Sequence, residues 1–349
     1  MEKRKIAGNI EISRVGAGCW SFGGGEYWGG QNQKDVDFVV HKSLDGGINF
    51  FDTARMYNNG ASEKSLGLAL KNRRNEAVVC SKVSPAKAYY RTLKEECEIS
   101  LKSIGTDYID IYMMHWPIND FGIKHFTDDP AVIASPPTAE EAFSALSDLK
   151  KEGKIRAVGV SNYGASQLKE AVGFCPDLAA NEMTYNIISR AIEAEILPFC
   201  IEKNIAVITS MALMQGILSG TYEKIDDIPH NQAHSRHFRN ERGKGTSRHY
   251  EPGAEEEIMD VLKVLREIAG DLRISVAQLS VAWVLSNKSV ACTLIGARSA
   301  AEVAANIQAA EISLPQDIVE QINAASLPVL VKLGNNADYY ENSENSRIY

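Results

Sequence analysis

The stretch Asp45-Gly-Gly-Ile-Asn-Phe-Phe-Asp-Thr-Ala54 decides the fold, because it sets a helix stop, a strand and a polar strand end in succession. Glycine past a helix C-terminus takes the left-handed conformation without a Cβ clash, so Gly46-Gly47 ends the amphipathic run before it. Ile48, Phe50 and Phe51 then read as a short strand apolar on both faces, the mark of a parallel sheet lying under helices. Lys151-Glu-Gly-Lys154 repeats the stop in front of another apolar run.

Working outward, eight such runs recur, at residues 14–22, 49–54, 77–83, 109–116, 155–162, 179–186, 205–213 and 292–297. Amphipathic stretches at 34–46, 62–72, 89–104, 138–152, 165–173 and 191–203 separate them. Two more, 254–269 and 276–285, precede the last run, and 300–310 follows it. This alternation predicts an α/β fold, a (β/α)8 TIM barrel forming one domain over 1–349. A doubly wound sheet is the alternative, but no G-x-G-x-x-G follows the first strand. Ser275 and Ser299 are predicted N-caps, Ser299 with Glu302 as a capping box. Four segments exceed what a barrel needs: an N-terminal hairpin over 4–12, long loops at 117–137 and 215–253 after the fourth and seventh strands, and a tail over 326–349.

The 349 residues carry 37 Lys+Arg against 45 Asp+Glu, a net charge of −8, with 44% hydrophobic and 23% charged residues. That mixture belongs to a globular protein. The acidic balance argues against nucleic acid as a partner, since its binders present basic faces. Met1-Glu-Lys-Arg-Lys5 runs into a Gly8-Asn9 turn, and the apolar stretch 279–285 is too short to span a bilayer. Neither a secretory signal nor membrane insertion is therefore expected. Six scattered cysteines, without a C-x-x-C pair or zinc-ligand spacing, read as buried thiols of a reducing cytoplasm.

Four polar residues fall at or just after the ends of consecutive predicted strands: Asp52, Tyr57, Lys82 and His115. Charges at the ends of apolar strands are costly unless paired, so Asp52 and Lys82 point to a site. A carbonyl that accepts hydride becomes an alkoxide and needs a proton donor. A tyrosine with an ordinary pKa of ~10 holds its proton too tightly at neutral pH. A nearby Lys82 ammonium lowers that pKa, Asp52 keeps the lysine charged, and His115 orients the carbonyl or assists the relay.

On these residues the chain resembles the aldo-keto reductases, over roughly 12–310. The resemblance is carried by Gly47-Ile-Asn-Phe-Phe-Asp-Thr-Ala-Arg-Met-Tyr57, Ser62-Glu-Lys-Ser-Leu-Gly67, Cys80-Ser-Lys-Val83, His115-Trp-Pro117, Gly159-Val-Ser-Asn162 and Ile295-Gly-Ala-Arg-Ser299. It is of the bacterial type, related to the potassium-channel β-subunit branch. The family implies the barrel, a nicotinamide cofactor, and Asp52, Tyr57, Lys82 and His115 as the catalytic tetrad with Tyr57 as general acid/base. Ser161 and Asn162 match the pair that binds the nicotinamide carboxamide. The sixth strand of the family supplies a glutamine to the same amide; here Asn181 or Glu182 stands in that place, with Glu182 favoured. Ser210 replaces the family's stacking aromatic, which leaves Met211 or another residue to fill the space. Leu213, Gln215, Gly216 and Leu218 match the segment covering the pyrophosphate. Arg298, Ser299 and Asn306 match contacts to the 2′-phosphate and adenine, whereas Glu302 stands where Arg or Gln is usual. NADP(H) is favoured on this pattern, with NAD(H) open.

The implied reaction interconverts a carbonyl and an alcohol in a small aldehyde, ketone or sugar. The alternative is a cofactor-binding regulatory subunit with little turnover. Trp20, Trp28 and Trp116 are candidate substrate walls. Loop 215–253 holds His230, His234, Arg236, His237, Arg239, Arg242, Lys244, Arg248 and His249, either a solvated loop or a lid carrying positive charge. The tail, with Tyr339, Tyr340 and Ser346-Arg-Ile-Tyr349, reads as disordered, or as folding over its own site or a neighbouring subunit's in a homo-oligomer.

Overall fold

The structure, a computed structural model, describes residues 1–25 and 27–349. Two strands, β1 (Lys3–Ile6) and β2 (Ile10–Ser13), pair antiparallel. Eight parallel strands then close a barrel: β3 (Val15–Gly18), β4 (Phe50–Asp52), β5 (Val78–Val83), β6 (Ile109–Met114), β7 (Ile155–Ser161), β8 (Ala180–Thr184), β9 (Ala206–Ser210) and β10 (Val290–Gly296). The last strand pairs with both β9 and β3, so no barrel edge is left open. The predicted (β/α)8 barrel is the observed architecture; most predicted strands end earlier than expected, the third loses only Ala77, and the last begins two residues earlier, at Val290.

Helices α1 (Gln33–Asp45), α2 (Ala61–Leu70), α3 (Tyr90–Ile104), α6 (Ala139–Lys151), α7 (Ala165–Phe174), α8 (Ile196–Glu202), α9 (Glu255–Leu272), α10 (Val276–Ser286) and α11 (Ala300–Ala309) surround the barrel. Short α4 (Asp120–Phe126) and α5 (Pro130–Ala134) occupy the loop after β6. No single helix among the described residues is long and apolar enough to cross a membrane.

The period-2 alternation of strands divides the apolar residues into two cores. Phe51, Val79, Tyr112 and Val158 face outward to the helices. Phe50, Val78, Cys80, Ile111, Met113, Ile208 and Leu294 fill the barrel, where Ile6, Ile10 and Ile12 of the hairpin close the lower end. Each such side chain stabilises by about 1.5–3 kcal/mol when fully buried. Gly159 has no room for a side chain, since a Cβ there would meet Met113 Cγ at 2.9 Å inside the barrel.

Several expectations are corrected. The helix foreseen over 191–203 divides into a 3-10 turn, Ala191–Glu193, and α8. Pro198 is tolerated only in a first helical turn, so the helix starts at Ile196. Ser275 forms its capping box with Gln278, but Ser299 forms only half of one with Glu302: its hydroxyl accepts the Glu302 N–H, while the Glu302 carboxylate accepts the Arg298 N–H at 2.6 Å. The tail does not begin at 326. That residue lies within α12 (Gln316–Leu333), a helix that Pro328 disguises in the sequence.

Candidate active site

Asp52, Lys82, His115, Ser161, Glu182 and Ser210 end up together because they occupy the same register. Each lies two residues beyond an inward-facing barrel position, in the C-terminal part of a strand or just past its end. All but Lys82 line a cavity of about 740 Å³ at the C-terminal mouth of the barrel. Lys82 lies beneath it, fully buried.

Lys82 Nζ donates to Asp52 Oδ1 at 2.5 Å, to the Thr53 carbonyl at 3.2 Å and to Tyr57 Oη at 3.4 Å. It also lies 3.3 Å from Glu182 Oε2. Tyr57 is turned back over this lysine by the loop after β4, where Asn58 and Asn59 take φ of 49° and 53° ahead of Gly60. Asparagine tolerates that left-handed backbone, and the Asn58 amide holds it by donating to the Trp20 and Phe22 carbonyls. The His115 ring meets Tyr57 edge-on, with centroids 5.5 Å apart.

Burial works against the Lys82 charge, yet Asp52 and Glu182 outweigh it and hold the ammonium well above its ordinary range. His115 is pushed well below its ordinary value by burial and by the Lys82 charge, so its imidazole is neutral. For Tyr57 the expectation is corrected. Lys82 does pull the phenol down, but burial dominates and the net direction is upward. Glu182 is pushed up to about 8 by burial and the neighbouring Asp52 charge.

Of the residues matched to cofactor contacts, Ser161, Asn162, Glu182, Ser210, Leu213, Gln215, Gly216, Arg298 and Glu302 line the cavity. Asn162, at φ 62°, donates to Ser161 Oγ and to the His115 carbonyl. Asn181 faces away from the barrel and bonds the Tyr163 backbone, which leaves Glu182 at the sixth-strand position. Leu218 is fully buried and does not reach the cavity. Ser299 and Asn306 lie outside it on α11, where Ser299 caps the helix and Asn306 donates to the Gly296 carbonyl. The Arg298 guanidinium is engaged by the Trp28 and Gly30 carbonyls, tying the loop after β3 to that after β10. Both Gln215 amide atoms and His115 Nδ1 are buried without hydrogen-bond partners, whereas Glu182 Oε2 faces the Lys82 ammonium. Orphaned groups of this kind facing one cavity fit a polar ligand.

Trp20, Trp28 and Trp116 all line the mouth, joined by Tyr27, which stacks on Trp20 at 5.2 Å. The tail supplies a residue that sequence reasoning did not assign. Arg347 is 1% exposed, lies 3.7 Å over Trp116 and pairs with Asp338 through two bonds of 2.9 and 2.7 Å. Its neighbour Tyr349 donates its N–H to Gln167 of α7. The tail therefore folds over its own barrel, and the disordered reading is corrected. The basic loop is also corrected: Arg236 pairs with Glu251, Arg239 and Arg242 with Glu255, and Arg248 with Glu341. Its cations are largely neutralised within the chain rather than offered as a positive lid. Of that cluster only His234 and Arg248 line the cavity.

A parallel barrel with a buried lysine–carboxylate site at its C-terminal mouth defines a class of barrel enzyme, since that face carries the chemistry in this architecture. Residues 14–327 match the aldo/keto reductase family model, and the chain belongs to that family. It is 31% identical over 330 residues to an NADH-specific methylglyoxal reductase of Escherichia coli, covering 88% of this chain and 92% of that one. A glycerol dehydrogenase from Gluconobacter oxydans superposes with a TM-score of 0.76 at 28% identity, over 93% of this chain and 96% of that one. An aldo-keto reductase of Klebsiella pneumoniae in complex with NADPH gives 0.69 at 25% identity, over 93% and 95%.

Proposed function

We propose that this aldo-keto reductase uses NAD(P)(H) to interconvert a small carbonyl compound, an aldehyde, ketone or sugar, with its alcohol, and that Tyr57 is its general acid/base. The observation carrying this reading is the approach of Tyr57 Oη to Lys82 Nζ at 3.4 Å, with Asp52 behind the lysine and a cavity in front of the phenol. A bound reduced nicotinamide supplies the hydride. The residues then divide the remaining work. Tyr57 gives its proton to the oxygen that becomes the alkoxide, and the Lys82 ammonium stabilises the tyrosinate left behind. Asp52 holds that ammonium in place. Neutral His115, across the ring of Tyr57, donates to or orients the same oxygen.

Ser161, Asn162 and Gln215 are the groups we assign to holding the cofactor, with Arg298 as the cation at the outer end of the cavity, beside an α11 N-terminus whose Arg298 and Glu302 N–H groups are capped by Glu302 and Ser299. The cavity, lined from Asp52 at the barrel floor to Arg298 and Glu302 beside α11, suits a dinucleotide. NADP(H) is preferred for Arg298, while Glu302 beside it and the NADH-specific relative keep NAD(H) in play. The mouth argues for a polar, hydroxylated substrate. Trp20, Trp28 and Trp116 supply flat apolar faces, and ion-paired Arg347 supplies hydrogen-bond donors without a net charge. The glycerol dehydrogenase relative supports use in the oxidative direction as well.

Replacing Tyr57→Phe should lower kcat about 10²–10⁴-fold against a carbonyl panel, as loss of a general acid does. Binding of NADPH or NADH, followed by fluorescence titration, should persist. Turnover at the wild-type rate would sink the assignment of Tyr57.

A further inference from the structure

The sixth barrel strand carries a carboxylate where the family pattern has an amide, and the structure makes that exchange consequential. Glu182 is 5% exposed and lines the cavity between Ser161 and Ser210. Its Oε2 has no hydrogen-bond partner and lies 3.3 Å from Lys82 Nζ. Asp52 already takes that ammonium at 2.5 Å. One buried cation is thus shared by two carboxylates. The cluster carries −1 with Glu182 ionised and 0 with it protonated.

The groups facing Glu182 leave it as the one that changes charge near neutral pH. From β4 and its loop come Asp52, ion-paired to Lys82, and Tyr57, whose phenol burial keeps protonated. From β5 come Lys82, held charged, and Cys80, a thiol pushed well up by burial. From β6 comes His115, held neutral, and from β10 comes Cys292, again a buried thiol pushed up. Ser161, Asn162 and Ser210 on β7 and β9 do not titrate. Glu182, raised to about 8, is the exception.

An oxidised nicotinamide ring carries a positive charge and a reduced ring none. Resting on the nicotinamide reading above, we propose that Glu182 links a proton to the redox state of the cofactor: the site holds reduced cofactor with Glu182 protonated and releases that proton when it holds oxidised cofactor. Attraction between an ionised carboxylate and the oxidised ring is strong in so dry a site, whereas the neutral ring gains nothing from the ionised form. Lys82 lies 3.3 Å from Glu182 and 3.4 Å from Tyr57, so it joins this proton to the phenol. Carbonyl reduction consumes one proton, and Glu182 stores one in the site when the reduced cofactor is present. An amide at this position holds no such proton. The direction of flow then becomes sensitive to pH through cofactor binding as well as through the chemistry.

The test uses the intact protein and reads binding, not turnover. Oxidised and reduced cofactor are titrated calorimetrically at pH 7 in two buffers of different ionisation enthalpy, which counts protons released. The oxidised form should release a substantial fraction of one proton more than the reduced form; protons from a 2′-phosphate cancel, because both forms carry it. Between pH 6 and 8.5 the preference for oxidised over reduced cofactor should rise about tenfold, the scale of a charge–charge interaction in such a site. Glu182→Gln should abolish both effects while still binding both forms. Equal proton counts for the two forms in the wild type, or a difference that survives in Glu182→Gln, overturns the proposal. Failure of either nicotinamide cofactor to bind the wild type overturns the nicotinamide reading itself, a separate outcome.

Discussion

The floor and the rim of the cavity are built on different principles. On the floor, Asp52, Lys82, His115 and Glu182 are set by strand register, since each lies one period beyond an apolar residue of the barrel interior. At the rim, Arg347 faces Trp116 across 231 positions of chain, held by a pairing with Asp338 inside the tail itself. The floor is rigid because closing a barrel fixes every strand against two neighbours. The rim rests on a few ion pairs and hydrogen bonds, so it can change without disturbing the floor. Changes at the floor should therefore affect the chemistry itself, and changes at the rim should affect substrate affinity while leaving kcat and cofactor binding in place.

The largest effect is expected at the floor. Lys82→Met leaves Asp52 and Glu182 as buried carboxylates without their cation, which typically destabilises by about 3–5 kcal/mol. A clear fall in Tm should accompany a kcat loss of about 10³-fold or more, on the scale of a lost proton-transfer partner. Unchanged Tm would mean that the cluster is not held by the lysine.

The rim comes next. Arg347→Ala removes both bonds to Asp338 and the stack on Trp116. Carbonyl KM should rise about tenfold, equivalent to ~1.4 kcal/mol, with kcat and cofactor Kd near wild type, while Tm falls because Asp338 is left buried without its cation. Loss of kcat or of cofactor affinity to the same extent would erase the distinction between rim and floor.

Glu182 sharpens it through pH. Its carboxyl is raised to about 8 in the folded chain against an ordinary value near 4.5, so the folded state holds its proton more tightly than the unfolded state does. Stability is thereby lost as pH climbs from the unfolded value to the folded one, and the loss is complete above about 8. Glu182→Gln should melt at the wild-type temperature near pH 4 and a few degrees higher, roughly 2–4 °C, at pH 8.5. A gap independent of pH would show that Glu182 does not titrate in this window.

The smallest effect belongs to the outer end of the cavity. Glu302→Gln should improve NADPH affinity by about threefold, the scale of an exposed charge pair, with NADH affinity unchanged. Parallel fluorescence titrations check it, and equal responses of the two cofactors would remove Glu302 from cofactor choice.

What could be read in advance follows the same division. The barrel, its closing hairpin and the strand-end residues were legible because they rest on local signals: glycine stops, apolar runs and a two-residue period. Glu182 was placed at the cofactor, but its pairing with Lys82 was not visible, since the two lie 100 positions apart and meet only across the closed barrel. Loop 215–253 looked basic because only Asp226 and Glu251 among the acidic partners of its arginines lie within it, while Glu255 and Glu341 lie outside. The tail looked disordered because its order depends on Trp116 and Gln167, residues of other loops and helices.

By itself, then, the sequence determined the barrel and the residues of its mouth, because strand period and helix punctuation act over a few neighbours. Only the tertiary structure decided which charges face one another: that Lys82 serves two carboxylates, that burial outweighs it at Tyr57, and that the tail closes the rim with Arg347. Electrostatic energies depend on distance through space and on exclusion of water, and neither is a property of position along the chain.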